Sequence, residues 1–115
     1  MEPEGQLVVN IQHVYFQLLC LGEKSVEGRL ATPKYSSLRR GQMLWFRSED
    51  TDEKCARYIR RVEHFPSFKE MVEVLGTRSL LGDLVKSVDE ACQTYLSFPG
   101  YKEGEQEYGV IAIHL

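Results

Sequence analysis

Residues 22–30 read Gly22-Glu23-Lys24-Ser25-Val26-Glu27-Gly28-Arg29-Leu30, and the assignment of the fold turns on them. From Lys24 onward the stretch alternates in residue type and carries no helix signal, which predicts a strand over residues 24–30. Residues an even number apart share one face of a strand, so Glu27 and Arg29 lie together while Lys24 is out of phase. Lys24 stands at the strand entrance, just after Gly22, where the chain is still turning, and can therefore converge with the other two. Together they form a polar constellation. Arg29 offers a fork of donors to a phosphate or a base edge. Burial can lower the pKa of Lys24, and Glu27 can exchange a proton or accept hydrogen bonds from an amino group. The plain alternative is an exposed Glu27–Arg29 ion pair beside a solvated Lys24, and periodicity by itself favours that alternative.

Upstream, residues 7–11 are a short β-branched run that reads as a strand. Asn10 is then a helix cap, and Val14, Tyr15, Leu18, Leu19 and Leu21 fit helical spacing up to Gly22. Phe16 and Cys20 make that helix apolar nearly all round, so it is expected to be mostly buried. Downstream, Pro33 and Gly41 bracket a polar connector, residues 31–40. Met43, Leu44, Trp45 and Phe46 centre a strand over 42–47, the acidic cluster at 49–53 is a hairpin turn, and 54–63 is the returning strand. Ser67-x-x-Glu70 and Ser87-x-x-Glu90 are capping boxes that open two helices. The first carries Phe68, Met71, Val72 and Leu75; the second carries Val88, Ala91, Cys92 and Tyr95. Between them, residues 77–86 form a short helical turn. Residues 98–106 read as a Gly- and charge-rich loop. Residues 108–115 are a final strand, apolar on both faces and so expected to be interior. The order β, α, β, β, β, α, α, β predicts an α+β fold: a strongly curved, mainly antiparallel sheet or small β-barrel with helices covering its openings.

The 22–30 segment resembles the signature of the ASCH domain family (activating signal cointegrator homology), a Gly-x-Lys-x-x-Glu-x-Arg pattern at a helix-to-strand junction. Lys34 to Phe46 is similar to the family's next block, Phe65-Pro66-Ser67-Phe68-Lys69-Glu70-Met71 to its strand-to-helix segment, and Tyr101 to Leu115 to its closing motif. On this resemblance residues 1–6 are a flexible tail and 7–115 one ASCH domain. It implies a PUA-like barrel whose cleft is lined by Lys24, Glu27 and Arg29, with RNA, a nucleotide or a modified nucleoside as ligand. It also implies an alternative, since some small members are amidohydrolases acting on acetylcytidine. In those the position of Lys24 is catalytic and that of Glu27 is a threonine nucleophile. A further glutamate that those enzymes use falls near Gly76 here, with Glu70 and Glu73 as neighbours. If this chain is an enzyme, Lys24 and Glu27 are its catalytic pair. A third reading is a protein-interaction module with a vestigial cleft.

Other residues qualify these readings. Arg39, Arg40, Arg57, Arg60 and Arg61 are candidates for a phosphate rim, with Tyr58 as an aromatic platform. The alternative is a solvated strand face balanced by the 49–53 acids. Strand alternation puts Arg57 and Arg61 on one face and Arg60 on the other. Tyr108 is expected to bind beside the cleft, because Gly109 permits close backbone approach.

The chain has 115 residues, 43% of them apolar and 27% charged, which suits one domain with one core and no need of disulfides or metal. A formal net charge of −3 gives no overall pull toward nucleic acid, so a polyanion needs a local basic patch. Cys20, Cys55 and Cys92 sit among apolar residues and read as buried thiols of a reducing compartment. His13, His64 and His114 stand beside no Cys at ligand spacing, so no metal is expected. No Gly-rich phosphate loop follows a strand, and no cofactor is expected. No leader pattern is visible, and the longest apolar-rich stretch, 14–21, is too short to span a bilayer. The expectation is a cytoplasmic or nuclear monomer that contacts no membrane.

Overall fold

The last strand organises the molecule. In the computed structural model, which describes residues 7–115, β6 (Val110–His114) pairs antiparallel with β2 (Val26–Leu30) on one side and β5 (Arg61–Phe65) on the other. Successive side chains of β6 enter different cores. Ile111 and Ile113 join Val9, Ile11, Phe16, Leu19, Leu44 and Phe46 between the sheets. Val110 and Ala112 join Val26, Phe68, Met71, Val72, Leu80 and Tyr95 beneath the helices. A strand covered on both faces has no use for polar residues, which is why this segment reads as continuously apolar. The tail expected at residues 1–6 lies outside the described residues.

A second sheet holds β1 (Val8–Ile11), β3 (Met43–Ser48) and β4 (Lys54–Tyr58) in the order β1-β3-β4, with β1 parallel and β4 antiparallel to β3. The sequence led us to expect one returning strand over 54–63 and a barrel. The chain instead turns a corner at Ile59–Arg60. The Ile59 amide donates to Gln42 O, just before β3 of this second sheet, at 2.8 Å, and the next amide, Arg60, donates to His114 O of β6 in the first sheet at 2.8 Å. The six strands of the described residues therefore pair as two three-stranded sheets joined at this corner. On the far side the edge strands β1 and β2 share no ladder hydrogen bonds among the described residues; a side chain, Arg29, spans from one to the other, donating to Asn10 O at 2.8 Å.

The helices are α1 (His13–Cys20), α2 (Pro33–Ser36), α3 (Phe68–Leu75), α4 (Thr77–Leu81), α5 (Val88–Leu96) and α6 (Tyr101–Tyr108), with a 3-10 turn at Gly82–Leu84. The serine half of each capping box forms: Ser67 Oγ accepts from the Glu70 amide and Ser87 Oγ from the Glu90 amide, each at 3.1 Å. Gln12, not Asn10, is the N-cap of α1, since Asn10 remains in β1. Burial of α1 is confined to Phe16 and Leu19. Cys20, its last residue, is exposed, whereas Cys55 and Cys92 are half-buried, so the three thiols are not equivalent.

The segment 98–106, expected as a loop, is largely α6. Gly100 starts it in the left-handed region (φ 80°). Gly104 lies so close to β2 that a Cβ there would collide with the Leu30 side chain. Glycine lowers helix propensity, and here close packing overrides that preference. Glu105 accepts from the Phe68 amide at 2.8 Å, so α6 also satisfies the open start of α3.

Candidate functional site

The open seam between β1 and β2 is where the signature residues gather. A cavity of about 330 Å³ lies there, with Asn10, Ile11 and Gln12 on one side and Lys24, Glu27, Gly28 and Arg29 on the other. Glu27 and Arg29 share a face of β2, as their spacing requires. Lys24 precedes the strand, and the turn at Gly22 (φ 79°) brings it round to the same place.

Glu27 is the centre of the group. Its Oε1 is 2.9 Å from Lys24 Nζ and its Oε2 is 2.6 Å from Arg29 Nε. The Lys24 and Glu27 side chains are only 2% and 7% exposed, so this is a buried ion pair and not a solvated one. Lys24 also donates to Val26 O at 2.6 Å and to Leu80 O at 2.7 Å. An ammonium has three protons, and all three are committed here. Burial acts to raise the Glu27 pKa, but the charges and hydrogen bonds of Lys24 and Arg29 outweigh it and hold the carboxyl below its ordinary value. Burial likewise works against the Arg29 charge, and Glu27 more than restores it. The Arg29 guanidinium also lies 5.8 Å from the centroid of the Tyr35 ring.

An aromatic wall faces these charges. Phe68 stacks on Tyr95 (centroids 4.6 Å apart, 9° between planes) and on Tyr101 (5.5 Å, 8°), and Phe98 meets both tyrosines edge-on. Tyr15, Tyr95, Phe98 and Tyr101 all line the cavity. Tyr95 is 2% exposed, and its hydroxyl is the one buried side-chain polar atom without a hydrogen-bond partner among the described residues. Burial first, then the negative charge of Glu27, push the phenol well above its ordinary pKa, so the proton stays on and is free to be donated. Gly28 keeps this floor open: a Cβ there would lie 2.8 Å from Met71 Cε and 3.0 Å from the Tyr95 hydroxyl.

A family model of the ASCH domain matches residues 9–115. The chain belongs to the ASCH domain family. Two solved structures resemble this ASCH domain over nearly its whole length. The crystal structure of hypothetical protein PH0355 is 32% identical with a TM-score of 0.82, covering 95% of each chain. The solution NMR structure of protein PF0455 from Pyrococcus furiosus is 30% identical with a TM-score of 0.71, covering 95% of this chain and 94% of that one. No curated protein matches.

The other candidate residues of this ASCH domain are placed differently. Tyr108 ends α6, is 43% exposed and is not among the residues lining the cavity. The five arginines also lie off the cavity. Arg39 turns back on Ser36 O and Leu38 O. Arg57 ties β4 to the end of α1 through Leu19 O at 3.3 Å. Arg40, Arg60 and Arg61 meet in a separate depression with His114. No cluster of metal-ligating side chains occurs among the described residues, and no described helix is long and apolar enough to cross a membrane.

Sequence reasoning missed Tyr15, Tyr95, Phe98 and Tyr101 as site residues. Tyr95 was legible as a buried helical position, but nothing local marks its hydroxyl as unpartnered. A signal for α6 was present: Tyr101, Gly104 and Tyr108 follow helical spacing after a glycine start.

Proposed function

We propose that the cleft is a binding site for the base of an RNA, a nucleotide or a modified nucleoside, and that the domain acts as a binding module. The observation that carries this reading is the unpartnered, protonated Tyr95 hydroxyl inside an aromatic-walled cavity beside Glu27. Leaving a buried donor unsatisfied costs stability, about 1–3 kcal/mol, and a ligand that supplies an acceptor recovers it. A base suits the rest of the cavity, since aromatic walls favour a flat ring and Glu27 favours an amino group on its edge. The volume falls at the low end of small-molecule sites. Arg29 and Lys24 fix the Glu27 carboxylate in its charged, accepting form.

The hydrolase reading has less support. A general base needs a free lone pair, and the Lys24 Nζ is already engaged by three acceptors. Glu27, with its pKa lowered, is a weak base.

The test is a thermal-shift screen of nucleosides, nucleotides and short RNAs against the wild type and Tyr95→Phe. At a hundredfold excess over Kd a true ligand adds about 2.7 kcal/mol of stability. Tyr95→Phe should lose that shift while melting at or above the wild-type temperature without ligand. A screen with no hit, or a hit that Tyr95→Phe binds equally well, overturns the reading. Release of cytidine from acetylcytidine would favour the hydrolase.

A further inference from the structure

Arg60 and Arg61 are neighbours in sequence and would point to opposite faces of a continuous strand. The corner at Ile59–Arg60 removes that alternation. Ile59 turns into the core, 1% exposed, while its amide bonds back to Gln42. Arg60 and Arg61 both open onto a depression beyond the corner. Gly41 (φ 91°) donates its amide to Ile59 O at 2.7 Å, and this turn delivers Arg40 to the same depression. Leu115 donates its amide to Ser25 O, which completes the floor.

The charges here are unbalanced. Arg61 Nη2 is paired with Glu63 at 2.7 Å, and the same carboxylate oxygen is 2.6 Å from His114 Nε2. Arg40 and Arg60 make no side-chain hydrogen bond or ion pair among the described residues, and both are exposed. Two uncompensated guanidiniums therefore stand beside a third in a chain whose formal net charge is −3. A solvated face scatters such charges or pairs them; a concave cluster focuses positive potential. The guanidinium fork fits phosphate oxygens two at a time.

We infer that Arg40, Arg60 and Arg61 form a phosphate-binding depression, separate from the cleft, that holds the backbone of the single-stranded RNA whose base the cleft accepts. The inference rests on the base-binding reading of the cleft for the identity of the polyanion. No residue lining the depression lines the cleft, so the two can be broken separately.

The test uses a fluorescein-labelled short single-stranded RNA of mixed sequence, with affinity followed by anisotropy across a salt series. Each phosphate contact on a single strand contributes about −0.7 to the slope of log K against log salt. The double variant Arg40→Gln, Arg60→Gln should flatten the slope by about 1.4 and weaken binding at low salt. It should melt like the wild type, since neither side chain has a bond to lose. Its response to free nucleosides in the thermal-shift screen should be unchanged. An unchanged salt slope overturns the inference. So does a wild type that binds inorganic tripolyphosphate but no RNA, because the depression then serves a free phosphorylated molecule. The nucleoside screen judges the cleft independently of either result.

Discussion

Lys24 Nζ lies 2.9 Å from Glu27 Oε1 with both side chains almost wholly out of water, and the same ammonium holds Leu80 O of α4. The pair is thus part of the scaffold as well as of the cleft. Removing one member of a buried pair leaves the other charged and unsatisfied, which costs about 3–5 kcal/mol. Lys24→Met and Glu27→Gln are each expected to lose stability on that scale in urea unfolding. Lys24→Met should also loosen α4, visible as faster amide exchange over Thr77–Leu81. A Lys24→Met variant as stable as the wild type would remove Lys24 from the scaffold.

Glu27 also sets a pH dependence. Its folded pKa lies below the usual 4.5, so its contribution is complete above the unfolded value and is lost as pH falls through the lower folded value. The stability gap between wild type and Glu27→Gln should stay constant from neutral pH down to roughly the unfolded value, then narrow with further acidification. Comparing the two proteins cancels the other carboxylates. A gap that does not change on acidification would mean that the carboxylate is not held charged by its neighbours.

How far the sequence could be read depended on the range of the interaction. The parity of Glu27 and Arg29, the serine caps of α3 and α5 and the two-faced burial of β6 are local, and each was legible. The corner at Ile59–Arg60 was not, because nothing between Lys54 and Phe65 announces that consecutive amides will bond to different sheets. Lys24 looked like a candidate ligand contact or a solvated cation. Its saturation depends on Leu80, 56 positions away, and no local pattern encodes that distance. The same holds for Gly104, whose reason is Leu30.

The thiols should separate cleanly under a thiol reagent. Cys20 is exposed at the end of α1. Cys55 is half-buried, and burial followed by the neighbouring Cys20 pushes its pKa up to about 11. Burial, followed by Asp89, likewise raises Cys92. Thiolate is the reactive form, so Cys20 should label quickly in the native protein and the other two only slowly until denaturant is added. Cys20→Ser should abolish the fast phase. A fast phase that survives this substitution would place a second reactive thiol at the surface.

Arg29 differs from its two partners in exposure and in reach. Its side chain is 19% exposed, and it bonds both Glu27 and, across the seam, Asn10 O. Arg29→Met leaves Glu27 still paired with Lys24, and water can reach the vacated Asn10 carbonyl at the edge of the cavity. The expected loss is therefore smaller than for Lys24→Met, about 1–2 kcal/mol for charge-assisted hydrogen bonds at a partly wet site. The seam should show it first. Amides of β1 should exchange faster in Arg29→Met while those of β6, held on both sides, keep their protection. If instead Arg29→Met raises the melting temperature and abolishes ligand-induced stabilisation, Arg29 is held in place for the ligand at the expense of the fold. A variant indistinguishable from wild type in stability, exchange and ligand response would remove Arg29 from both roles.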